Sequence, residues 1–164
     1  MTADGHGNEA LDKHFRKTGG SRGKKLIHSD ITSGIIRASF AVHNALGCGL
    51  AEKIYENALA WELTLDGRKA EQQREFPVVF REKVVGTYVA DVLVEQKVLV
   101  EIKAADEVLD VHRAQLLNYM RIAGIRVGLL VNFGKPKLEF ERMILQEPHP
   151  VFICDFSVFI RDLN

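Results

Sequence analysis

The residues with the most chemical potential in this chain are Asp91 and, on the next apolar segment, Glu101-Ile102-Lys103. Side chains alternate faces along a strand, so Glu101 and Lys103 point the same way and Ile102 points to the other side. They follow Val98-Leu99-Val100, a setting in which unpaired charge is costly. Asp91 lies in an equally apolar segment. Two carboxylates that converge on one point offer oxygen ligands to a hard divalent cation. Mg²⁺ characteristically takes one or two protein carboxylates and completes its shell with water and phosphate. A lysine beside them can orient a water or stabilise charge on a phosphoryl oxygen. The spacing alone fits an Asp–Lys or Glu–Lys ion pair near a strand end as well. Gln115 and Tyr119 share one helix face four residues apart, and Glu52 and Tyr55 share another. Glu52 falls in a first helical turn, where the helix dipole favours a carboxylate whatever its function.

The elements that must position these residues are readable from periodicity. Ser29 or Asp30 can cap a helix whose apolar stripe is Ile31, Ile35, Ala38, Val42 and Ala45, ended by Gly47 and Gly49. A second helix is expected from about Leu50 to Leu65, with Ile54, Ala58, Trp61 and Leu65 as its buried stripe and Asp66-Gly67 as its stop. The period then changes. Glu75 to Phe80, Val84 to Val94 and Val98 to Lys103 read as three strands in a meander. Val111 to Ala123 returns to helical spacing. Ile125 to Phe133 is a continuous apolar run suited to a strand covered on both faces, and Leu138 to Leu145 is a further strand. Val151 to Ile160 is apolar and aromatic without a decisive period. The order predicts an α/β sandwich, with residues 29–164 as a single domain.

Several segments together resemble the GxxExxY protein family. Gly49-Leu50-Ala51-Glu52-Lys53-Ile54-Tyr55 carries its signature. Leu46 to Gly49, Gly86 to Asp91, Glu101 to Lys103, Gln115 to Tyr119 and Gly128 to Gly134 look like its other blocks, in order. That family is similar to the PD-(D/E)xK, restriction-endonuclease-like nuclease superfamily. The resemblance implies a helix, three strands, helix, strand core: a mixed sheet flanked by helices, with an extra N-terminal helix. It implies Asp91, Glu101 and Lys103 as the nuclease triad and Glu52 as the acid from the core helix. Gln115 and Tyr119 match a Gln-x-x-x-Tyr element found in the branch with recombination-type exonucleases. Ala90 stands where the superfamily's name has proline. The implied ligands of Mg²⁺ (or Mn²⁺) are Asp91, Glu101, the Ile102 carbonyl and Glu52. Gln115, Tyr119 and Tyr55 would position substrate or metal-bound water.

Charge and composition bound the partners. Lys and Arg number 22, as do Asp and Glu, so no global basic field marks a polyanion binder. Residues 1–28 nevertheless hold six basic residues (Lys13, Arg16, Lys17, Arg22, Lys24 and Lys25) against three acidic ones. They read as a flexible basic extension, either an arm for nucleic acid or a solvated tail. No apolar run approaches the ~20 residues of a membrane span, the N-terminus lacks a secretory pattern, and two distant cysteines suit a reducing cytoplasm. His43, near the glycine turn, could reach the site, but its default reading is a satisfied core or surface histidine, and that of His112 is a capping or surface one. Phe76, Phe80, Phe133, Phe152, Phe156 and Phe159 read as core. The expectation is a divalent-metal-dependent phosphodiesterase acting on nucleic acid, with DNA the expected substrate. The alternative is a non-catalytic nucleic-acid-binding or protein-interaction module on the same fold. The chemistry also fixes a register: Asp91 and Glu101 share a face only if the intervening turn is odd, Glu95-Gln96-Lys97, or if a bulge restores the parity.

Overall fold

A computed structural model of the chain describes residues 26–146. The N-terminal extension up to residue 25 and the apolar segment from residue 147 onward lie outside the described residues. Eight elements follow in order: α1 (Ser29–Leu46), α2 (Glu52–Leu65), β1 (Ala70–Phe80), β2 (Lys83–Val94), β3 (Val98–Lys103), α3 (Asp110–Ala123), β4 (Val127–Asn132) and β5 (Glu139–Ile144). The strands form one mixed sheet in the order β1-β2-β3-β4-β5. β3 and β4 are parallel, and every other neighbouring pair is antiparallel. A parallel pair needs a long crossover, and α3 supplies it.

Three layers result. On one sheet face, Val92, Val94, Val98, Val100, Ile102, Leu129 and Val131 pack under Ile35, Ile36 and Val42 of α1 and Tyr55, Leu59 and Leu63 of α2. On the other, Tyr88, Ala90, Leu93, Leu99 and Leu130 meet Leu116 and Met120 of α3. β4 is buried throughout, as its unbroken apolar run predicts. A side chain at Gly128 would run into Met120 and Leu116, so glycine there allows α3 to lie close on the sheet.

Four local expectations are corrected. α1 is not capped by Ser29 or Asp30. His28 occupies the cap position in a left-handed backbone without a side-chain cap, and Asp30 sits in the first turn. α2 buries Tyr55, Leu59 and Leu63, while Ile54, Trp61 and Leu65 are exposed, Trp61 by 64%. Both rows have helical spacing, and the sheet selects the one that carries Tyr55. β1 begins at Ala70 rather than Glu75 because ladder bonds to β2 order the polar run Glu71 to Arg74, which has no alternation of its own. Phe80 is 60% exposed at the tip of the β1–β2 hairpin, with the Arg81 guanidinium 5.2 Å over its ring.

The odd turn is present. Val94 pairs with Val98, leaving Glu95-Gln96-Lys97 as a three-residue connection with Glu95 and Gln96 at positive φ. Leu93 pairs with Leu99 and Val92 with Val100, and the ladder ends there, one residue short of Asp91 on β2 and of Glu101 on β3.

Candidate functional site

β3 ends at Lys103, and the side chains in question gather around that end. Asp91 Oδ2 accepts the backbone N–H of Ile102 at 2.8 Å, so the carboxylate bridges from β2 to β3. Burial, and next the negative charge of Glu101, push the Asp91 carboxyl up to about 6. Glu101 is 4% exposed. Its Oε1 accepts Lys103 Nζ at 2.8 Å and its Oε2 accepts the Tyr88 hydroxyl at 3.3 Å. Burial would lower the Lys103 ammonium, but the Glu101 hydrogen bond and the charges of Glu101, Glu52 and Asp91 outweigh it and hold it above the usual lysine range. Lys103 is therefore a fixed cation and donor. Glu52, at the start of α2, accepts the Ala104 N–H at 3.2 Å and so reaches the residue after Lys103.

Gln115 and Tyr119 on α3 bond each other, Nε2 to hydroxyl, at 2.5 Å. The Tyr119 ring stacks on Tyr88, whose hydroxyl touches Glu101, so this pair reaches the carboxylate through an aromatic neighbour. Burial and the charges of Glu101 and Asp91 raise the Tyr88 hydroxyl, keeping it a neutral donor. Tyr55 is placed differently. It is fully buried and stacks on Phe133 at 4.6 Å. Its hydroxyl donates to Gly47 O at 2.9 Å and accepts the Leu50 N–H at 3.1 Å. Those bonds brace the α1–α2 turn that delivers Glu52, and none of them joins Tyr55 to a carboxylate. Gly47 and Gly49 have φ of 70° and 97°, backbone positions that this turn needs and that side chains disfavour.

The family model of the PD-(D/E)XK nuclease superfamily matches residues 29–143. The chain belongs to that superfamily. The mixed five-stranded sheet with its three helices, α1 being the added N-terminal one, is consistent with the superfamily core. No curated protein matches the chain in sequence. A solved structure described as "Crystal structure of SSO0001" is similar at 20% identity and a TM-score of 0.48, covering 94% of this chain and 79% of that one.

PD-(D/E)XK nucleases generally use divalent metals. Among the described residues, no group of three or more His, Cys, Asp or Glu side chains forms a ready-made metal cluster. The donor set still fits a hard cation. The charge of Glu101 raises the cost of ionising Asp91, and Lys103 is bonded to Glu101. A two-carboxylate set completed by water and phosphate suits Mg²⁺ or Mn²⁺. No helix among the described residues is long and apolar enough to cross a membrane.

Three participants were not singled out from sequence. Glu56, one turn beyond Glu52, is 4% exposed and adds its charge to those acting on Asp91. Its signal was the four-residue spacing from Glu52. Tyr88 had none, because an aromatic on a strand reads as core. Asn132 is fully buried at the end of an apolar strand, and that polar interruption was its signal. Its Oδ1 accepts the N–H groups of Ala105 (3.0 Å) and Gly134 (3.1 Å), and its Nδ2 donates to Ala105 O at 2.8 Å. Phe133 N–H adds a bond to Lys103 O at 2.7 Å. Together they clamp the loop that leaves β3. His43 bonds the Lys135 carbonyl at 2.8 Å, and His112 accepts the Leu109 N–H at the start of α3. Both are accounted for as packing and capping groups.

Proposed function

We propose that the chain is a divalent-metal-dependent phosphodiesterase acting on nucleic acid, with DNA as its substrate. Nuclease-type chemistry comes with the superfamily. The observation that carries the reading is the junction at the end of β3, where Asp91 holds the Ile102 N–H and Glu101 holds Lys103. Asp91, Glu101 and the Ile102 carbonyl would hold Mg²⁺ or Mn²⁺, with Glu52 holding a second ion or a water of the first. The ion, when bound, polarises the scissile phosphate and lowers the pKa of a water bound to it. Lys103 stays protonated, so it acts as a donor. It holds the attacking water by donating to its oxygen, and it steadies charge developing on a phosphoryl oxygen. Gln115 and Tyr119 orient metal-bound water or the strand backbone, and Tyr55 acts through the Gly47–Leu50 turn.

Within the superfamily, the Gly49 to Tyr55 signature supports placement in the GxxExxY branch. Residues 29–164 form the nuclease-like domain in this reading, and the basic extension is its nucleic-acid arm. The near-neutral charge favours a second reading, a protein-interaction module without catalysis on the same fold, since phosphate contact normally draws on a basic surface. Mn²⁺ titration beside Glu101→Gln separates metal site from ion pair. The proposal expects saturable binding in the wild type and a loss of about tenfold or more in affinity in the variant. Equal affinity in the two would remove Glu101 from the site.

A further inference from the structure

β2 does not keep its alternation. Strict alternation would put positions 88, 90, 92 and 94 on one face. Tyr88 and Ala90 instead pack with α3, whereas Val92 and Val94 pack with α1 and α2. The switch falls at Asp91. The β2–β3 ladder ends at Val92–Val100, next to it, and there the Asp91 carboxylate takes the Ile102 N–H while Tyr88 goes to the face where its hydroxyl meets Glu101.

Across the ladder, β1 is irregular at the same point. Pairing passes from Gln72–Val92 to Arg74–Ala90 with no Gln73–Asp91 pair, and Gln73 is left-handed at φ 54°. A left-handed backbone is uncommon for a non-glycine residue, and inside a strand rather than a turn it asks for a local cause. The holder is Glu56. Its Oε2 accepts Gln73 Nε2 at 2.8 Å, and its Oε1 accepts Gln72 Nε2 at 3.0 Å and Lys53 Nζ at 2.7 Å. The carboxylate is nearly sealed from solvent and all three donors converge on it. α2 thus fastens β1 at the one point where both strands change face.

We propose that Gln73 is a positioning residue: its left-handed backbone, pinned to α2 by Glu56, sets the break in alternation that brings the Asp91 carboxylate to the Ile102 N–H and the Tyr88 hydroxyl to Glu101. The metal role of Asp91 rests on the function proposed above; the backbone claim does not.

Two substitutions and two readouts test it. Gly accepts φ near +54° freely, whereas Val, branched at Cβ, does not. In metal-free full-length protein, amide hydrogen exchange reports whether Asp91 still holds the Ile102 N–H. Gln73→Gly should leave Ile102 exchange within about threefold of wild type, and Gln73→Val should speed it by about tenfold or more while the melting transition stays cooperative. Mn²⁺ titration should follow the same order, with affinity falling about tenfold in Gln73→Val alone. Unchanged Ile102 exchange in Gln73→Val overturns the proposal. So does an equal rise in both variants, which would assign the effect to the missing glutamine hydrogen bond. If Gln73→Val does not fold, fast Ile102 exchange in Gln73→Gly overturns the proposal as well, and wild-type exchange there upholds the backbone claim. Asp91→Asn is the separate control: undiminished Mn²⁺ binding there sinks the metal role and leaves the exchange result standing.

Discussion

At the residue scale the account turns on Asp91, a carboxyl whose burial and like-charged neighbour make it costly to ionise. Its folded pKa is about 6 against an ordinary value of 3.8, so between those pH values the folded state binds more protons than the unfolded one. Stability from this group is therefore present at low pH and lost as pH rises through about 4 to 6. Metal-free protein should be less stable at pH 7.5 than at pH 5 by about 0.5–1.5 kcal/mol from Asp91, the smaller figure allowing for its partial exposure. Asp91→Asn keeps an acceptor for the Ile102 N–H and should flatten that dependence while removing cleavage. Thermal melts in chelator at the two pH values check it; a wild-type slope in the variant would contradict it. Lys103→Met should behave differently. Turnover should fall about 100-fold or more while Mn²⁺ binding persists, because the lysine donates to Glu101 and is no ligand. Loss of metal binding in that variant would show that the two roles are not separable.

At the scale of elements, the loop after β3 is fixed by Asn132, whose side chain meets both polar groups of Ala105. Asn132→Ala leaves both partly buried groups without that partner and should cost about 1–3 kcal/mol, read from the urea midpoint. A loss under about 0.5 kcal/mol would show that the loop holds itself. The register of β2 on β3 was legible in the sequence, because a shared face for Asp91 and Glu101 leaves only odd turns and no Asn-Gly or Asp-Gly pair argued for a two-residue one. The buried stripe of α2 was not. Ile54, Ala58, Trp61 and Leu65 are as well spaced as Tyr55, Leu59 and Leu63, and only the sheet decides between them. Nor could Gln73 be read, since glutamine gives no local reason for a left-handed backbone, and its holder is a helix residue distant in sequence. Charged residues in apolar strands point to the candidate site. The polar residues packed beside them, Glu56, Gln73 and Asn132, look ordinary in the sequence and are joined only by the fold.

At the scale of the whole molecule, the balanced charge leaves the basic extension as the expected source of phosphate contacts. Replacing Lys13, Arg16, Lys17, Arg22, Lys24 and Lys25 with serine in the full chain should weaken DNA binding and make its salt dependence shallower. The slope should fall by roughly 0.7–0.9 for every phosphate no longer neutralised. An unchanged slope would make the extension a bystander. Substitution suits this test better than deletion through residue 28, because the His28 carbonyl accepts the Thr32 N–H at the start of α1. The central claim is that a metal held by Asp91 and Glu101 cleaves nucleic acid, and the most direct measurement is strand cleavage of single- and double-stranded DNA by wild type and Asp91→Asn, with Mn²⁺ and with chelator. Wild type should cleave only when metal is present, and Asp91→Asn should cleave at least ~100-fold more slowly. Cleavage that survives the chelator, or equal cleavage by the two proteins, would contradict it.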